Sequence, residues 1–239
     1  MNRLLSEILA HADPSQVEGL SRFFKTGPGQ YGEGDLFLGI KVPVTRSVVR
    51  ACWKDTDFAD LEECIMSGYH ELRLAGLLAL VEHFSHARRD PAAQKRCIDF
   101  YLSHTDRINN WDLVDLSCYR LLGEWLCDKD RSLLYELARS GRSIWEQRIG
   151  IVSTMAFVRR GETADTFAVA DILLNHPHDL IQKAVGWLLR EAGKKDEAAL
   201  CAFLDEKAPL MPRTMLRYAI EKFPEERRMH YLSAGKRRL

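Results

Sequence analysis

Apolar positions recur three and four residues apart along almost the whole chain, as in windows 72–84 (LRLAGLLALVEHF) and 111–126 (WDLVDLSCYRLLGEWL). That spacing lines one face of an α-helix, and no run shows the two-residue alternation of a half-buried strand. Punctuation fits the same reading. Asp13-Pro14 and Asp90-Pro91 each place a capping carboxylate before a proline at the first helical position, with Gln16 and Gln94 near the following turn. Arg159-Arg160-Gly161 puts basic charge in a last turn and glycine just beyond it. The pattern predicts about a dozen helices of roughly ten to seventeen residues joined by short loops.

Four helical blocks can be laid in register: Leu72–Leu77, Trp111–Leu116, Gln147–Val152 and Gln182–Trp187. Their second residues, Arg73, Asp112, Arg148 and Lys183, are 39, 36 and 35 positions apart. This is the period of paired-helix solenoid repeats of the HEAT type. The expected architecture is a single all-α domain over residues 1–239, a right-handed α-solenoid with a concave face, in which the Gly-rich stretch 27–35 is a flexible connector. In that register one column reads Gly76, Ile151 and Gly186 in three blocks but Asp115 in the other, and the next column reads Leu77, Leu116, Val152 and then Trp187. A carboxylate and an indole therefore stand where the repeat expects small or aliphatic groups. An ionisable side chain in such a place marks a candidate site.

Composition narrows the picture. Hydrophobic residues form 46% of the chain and charged ones 28%, too apolar for a disordered protein. Lys plus Arg equal Asp plus Glu at 34 each, which excludes a uniformly cationic surface. Residues 141–239 hold 17 basic against 13 acidic side chains, a net of +4, leaving −4 for residues 1–140. Any face for a polyanion belongs to the C-terminal half, and the acidic run Asp55–Glu71 should point elsewhere. The six cysteines lack the close pairing of a zinc site and read as buried thiols of a reducing cytoplasm. No segment reads as a secretory signal or a membrane span.

Several apparent motifs carry no chemistry. Gly27–Gly32 matches GxGxxG but follows a helix, contains Pro28 and lacks a GK[ST] continuation, so it predicts neither a dinucleotide fold nor a phosphate loop. His83 and His86 can share a helix face, yet without a third ligand they read as solvated surface; no metal and no cofactor are expected. Trp111 and Asp115 share a face at a spacing of four, Lys183, Trp187 and Arg190 share another, and Arg148 occupies the corresponding edge of the helix between. Together they offer one carboxylate, two indoles and several cations.

On those residues the chain resembles the AlkD-like DNA alkylation-repair glycosylases, which are built from HEAT-like repeats. The resemblance rests on Trp111-Asp112-Leu113-Val114-Asp115, on Ile144–Arg148, on Ile181–Glu191, and on Leu36–Pro43, which looks like the family's FLGI-x-x-P segment; it is nearly end to end. It implies that Asp115, Trp111 and Trp187 are catalytic, lining a cleft against the deoxyribose of a damaged nucleotide. It also implies that Arg148 holds backbone phosphate, and Lys183 and Arg190 are expected to line the same DNA-binding face. The partner would be double-stranded DNA carrying N3- or N7-alkylated purines, attacked without base flipping by a monomer. Phe23 and Phe24 depart from the family, which often has a tyrosine near that position, and 27–35 looks like an insertion. The alternatives are a non-catalytic solenoid that binds DNA structures and a protein-interaction solenoid.

Overall fold

The computed structural model describes residues 2–234. By internal contacts the chain forms two compact units, Met1–Ser117 and Cys118–Leu239. Among the described residues both are helical, with no strand; the one extended pairing is an isolated bridge between Leu36 and Tyr69.

The first unit contains α1 (Arg3–Leu9), α2 (Pro14–Phe23), α3 (Val42–Cys52), α4 (Phe58–Ile65), α5 (His70–His86), α6 (Pro91–Ser103) and α7 (Trp111–Ser117). Starts follow the expected chemistry: Asp13 accepts from the Ser15 amide, Asp90 accepts from that of Ala93, and a proline follows each. At its centre is α5, 17 residues long, which packs on α1, α3, α4, α6 and α7. That surrounding explains why His70 to Val81 are buried without a break, and it makes every charged residue of α5 costly unless partnered.

The second unit contains α8 (Leu122–Trp125), α9 (Ser132–Arg139), α10 (Ile144–Ser153), α11 (Met155–Arg159), α12 (Ala164–Ile172), α13 (Asp179–Gly193), α14 (Glu197–Lys207), α15 (Arg213–Ala219) and α16 (Glu225–Ala234). Its core is built where α10 packs on α9 and α13, and α13 on α14 and α15. Packing between near neighbours in sequence is consistent with an α-solenoid.

Two expectations change in detail. Window 111–126 is not one helix: α7 ends at Ser117, Cys118–Arg120 forms a 3₁₀ turn, and α8 resumes only at Leu122. The Ser117 hydroxyl donates back to the Leu113 carbonyl at 2.5 Å, and Leu121 leaves helical geometry at φ −103°, ψ −85°. Such back-bonding loosens a helix even where its apolar pattern continues. The repeat register also slips by one in its third block. A Cβ at Gly76 would meet Ile65 at 2.8 Å, and one at Gly186 would meet the Met215 carbonyl at 2.4 Å, so both glycines mark close helix approaches. In α10 the matching approach, to the Leu134 carbonyl at 2.9 Å, is made by Gly150 and not by Ile151.

Candidate functional site

The first unit holds a pocket of about 400 Å³, within the usual range for a small-ligand cleft. Each element supplies it differently. From α7 come Trp111, Asp112 and Asp115, from α5 come His70, Glu71 and Leu74, and the end of α2 brings Phe23 and Phe24. Residues 36–43 add Phe37 and Ile40. Trp111 and Asp115, one helical turn apart, both line it and both are partly exposed. Phe23, Phe24, Phe37, His70 and Trp111 give it a cluster of rings. The Phe24 ring stacks at 5.5 Å on Trp111 and at 5.2 Å on Phe37, while Phe23, 60% exposed, meets Trp111 edge-on at 5.8 Å.

Behind the rings lies a buried charged cluster. His70, 2% exposed, has Phe24 and Phe37 against its ring at 4.6 and 4.8 Å. Its Nε2 is 2.9 Å from Asp112 Oδ2 and its Nδ1 3.5 Å from Asp35 Oδ2. The second oxygen of Asp35 accepts from Arg73 Nη2 at 2.7 Å and from Asn109 at 2.9 Å. Burial opposes charge on His70, but the hydrogen bonds to Asp112 and Asp35 outweigh it and raise the imidazole to about 9. Burial likewise raises the Asp35 carboxyl, and the hydrogen bond from His70 with the nearby Arg73 charge reverses this and leaves it lowered. At neutral pH His70 is therefore a cation held between two carboxylates.

Glu71 fastens the loop beside the pocket. Its carboxylate accepts the amides of Leu38 (3.0 Å), Gly39 (2.9 Å) and Ile40 (3.1 Å), so the FLGI segment is shaped by one side chain 31 to 33 residues away. Gly39 sits at φ +88°, and a Cβ there would come within 1.9 Å of the Asp13 carbonyl, so only glycine fits. Glu71 ends the acidic run Asp55–Glu71 expected to point away from the site, yet it is 2% exposed and part of the pocket wall. The connector 27–35 is anchored as well: the Gly32 amide reaches back to the Lys25 carbonyl at 3.0 Å, and the Asp35 side chain is 4% exposed within the cluster. His83 is half-buried, with Nε2 2.9 Å from the Thr56 hydroxyl, not a solvated surface group.

The remaining candidates lie in the second unit. Arg148 is 5% exposed on α10, and its Nη1 donates to the Leu180 carbonyl. Lys183, Trp187 and Arg190 lie on α13 at steps of four and three, all partly exposed. Lys183 Nζ is 2.8 Å from Asp179, and Arg190 contacts Glu191 at 3.2 Å and also pairs with Glu221.

Asp35, His70, Glu71, Arg73 and Asp112 escaped the reading of the sequence. A signal was available: His70, Glu71 and Arg73 open a helix that runs on without a polar residue from Leu74 to Val81, where charged groups need partners. Asp35, in a glycine-rich stretch, carried no local signal.

Fold and pocket together define an all-helical protein with an aromatic pocket beside a carboxylate. The family described as DNA alkylation repair enzyme matches residues 4–223, and the chain belongs to that family. A solved structure described as a predicted DNA alkylation repair enzyme from Enterococcus faecalis superposes with a TM-score of 0.68, covering 90% of this chain and 97% of the other at 14% identity. At that identity the likeness is one of fold. No curated protein matches the chain. Family membership supports a role as an enzyme of DNA repair, with DNA as its partner.

Proposed function

We propose that the protein is a DNA glycosylase that hydrolyses the N-glycosidic bond of cationic N3- and N7-alkylated purines in duplex DNA. The observation that carries this reading is the pairing of Trp111 and Asp115 on one face of α7, at an aromatic pocket, in a chain of the DNA alkylation repair family.

Ordinary glycoside hydrolysis uses two carboxyls, one of them to protonate the leaving group. An N3- or N7-alkylated purine already bears positive charge. When the bond from C1′ breaks, its electron pair passes to the ring nitrogen and the base leaves neutral without a general acid. Positive charge then develops on the sugar. Asp115 stabilises that charge and orients the water that adds to C1′ and gives up a proton, and the electron-rich face of Trp111 adds cation–π attraction. At 4 Å a carboxylate and a cation attract by about 1 kcal/mol in water and by about 4 kcal/mol at an effective dielectric near 20. Asp115 shares its pocket with apolar side chains such as Phe24, Phe37 and Leu74, surroundings that favour the larger value.

Trp187 is assigned to the duplex-binding side of α13, with Lys183 and Arg190 as the contacts to phosphate; Arg148, expected on the same face, is 5% exposed and donates to the Leu180 carbonyl, so it is assigned instead to holding α13 on α10. No base-reading pocket is required, so selection would follow bond lability and charge without base flipping. Incubating the protein with methylated duplex DNA and measuring released bases tests the proposal. Release of 3-methyladenine and 7-methylguanine supports it; salt-dependent DNA binding with no release would leave the non-catalytic DNA-binding alternative instead.

A further inference from the structure

Two carboxylates on α7, Asp112 and Asp115, line the pocket, although the proposed reaction needs one. They differ in surroundings. Asp112 is 3% exposed; its Oδ2 faces His70 Nε2 at 2.9 Å and its Oδ1 accepts the Leu113 amide at 2.9 Å. Asp115, one turn along on the pocket side, is partly exposed. From the first turn of α5, His70 thus reaches the first turn of α7, beside Trp111. Its ring also supports Phe24, which stacks on Trp111.

We infer that His70 is a positioning residue: buried and hydrogen-bonded to Asp112, it ties that carboxylate to α5, which sets the start of α7 and the Trp111 ring and leaves Asp115 as the carboxylate that meets the substrate. The inference rests on the proposed glycosylase reaction. The groups facing the imidazole are Asp112 from α7, Asp35 from the connector, Arg73 from α5 itself, and the Phe24 and Phe37 rings. Losing the His70 proton leaves Asp112 and Asp35 opposite a neutral ring, so the hold on α7 weakens. The raised basicity of the imidazole, to about 9, keeps the tie intact through neutral pH.

The test uses the full chain with His70→Gln, which keeps a donor toward Asp112 but cannot be charged, and His70→Ala, which removes both. Single-turnover release of 7-methylguanine is followed from pH 6 to 10, with duplex affinity measured alongside. For the wild type, a rate that falls several-fold, up to about tenfold, as pH rises through about 9 is expected. His70→Gln is expected to be slower at neutral pH and to lack that alkaline limb, and His70→Ala to be slower still, each with duplex affinity within about twofold of wild type. An alkaline limb that persists unchanged in His70→Gln overturns the inference. So does a His70→Gln protein with the wild-type rate across the range.

A readout without turnover separates this inference from the glycosylase reading. In the wild type the Trp111 indole resonance is expected to shift in step with the His70 titration. If wild type releases no base, the reaction proposed above fails, and the resonance alone decides for His70: an indole that ignores the titration rejects the inference. It also stands when a variant fails to fold.

Discussion

In the first unit the side chains of Asp35, His70, Glu71 and Arg73 lie beneath a layer of rings, whereas in the second the charged groups of α13 stay partly exposed beside acidic neighbours. Glu146 and Arg148 are buried exceptions there, the first with Ser140 at 2.8 Å and Arg142 at 3.1 Å, the second on a backbone carbonyl. Dielectric surroundings set what such charges do. A buried, fully partnered charge fixes a geometry, because leaving any member without its partner is expensive. An exposed pair is screened by solvent and exchanges partners readily, which suits contact with the phosphates of a polyanion.

Substitutions can break that contrast. The largest effect is expected from Arg73→Ala, which takes the closest cation from Asp35 and leaves it His70 and Asn109: loss of one partner of a buried pair costs about 3–5 kcal/mol, a fall in Tm of roughly 10 °C for a protein of this size. In the second unit Arg190→Gln should leave the melting curve almost unmoved. Comparable destabilisation by the two would show that burial is not what separates the units.

Next in size is Asp115→Asn. It should retain fold and duplex affinity yet slow 7-methylguanine release by roughly a hundred- to a thousandfold, about 3–4 kcal/mol in the barrier. A smaller loss is expected for 3-methyladenine, whose weaker bond leaves less for the enzyme to do. Single-turnover excision of both lesions checks it, and wild-type rates on both would make the carboxylate structural.

Acidity offers a third probe. His70 is raised from 6.5 to about 9 on folding, so its stabilising contribution, about 3 kcal/mol, is complete below pH 6.5 and is lost as pH climbs through about 9. Urea unfolding at pH 6.5 and pH 9.5 should show this loss in wild type and little of it in His70→Gln. The smallest effect concerns Lys183→Ala, which should weaken binding to damaged and undamaged duplex alike and lower the salt slope by about one. A loss confined to damaged DNA would move Lys183 from phosphate contact to lesion recognition.

What could be read in the sequence follows the same division. Helix α5 was legible because its apolar pattern and its surroundings agree, and the caps at Asp13 and Asp90 were legible because capping is local. Helix α7 was not bounded correctly: a hydroxyl bonding back at Ser117 and the turn at Leu121 leave no mark on hydrophobic periodicity. Trp111 and Asp115 stood out by breaking a repeat. Asp35 and Asp112 did not, since their roles depend on partners 35 to 42 positions away that only the fold brings near.

The grip of Glu71 on residues 38–40 bears on how the amino-terminal part of the chain exchanges hydrogen with solvent. Those three amides belong to no helix or strand, and a loop of that kind ordinarily trades its protons for deuterons quickly. Here each amide is hydrogen-bonded to a buried carboxylate rooted in the central helix, so opening the loop also exposes an unpartnered charge. Leu38, Gly39 and Ile40 should therefore keep their protons about as long as the amides of α5, making this loop part of the slowest-exchanging core of its unit.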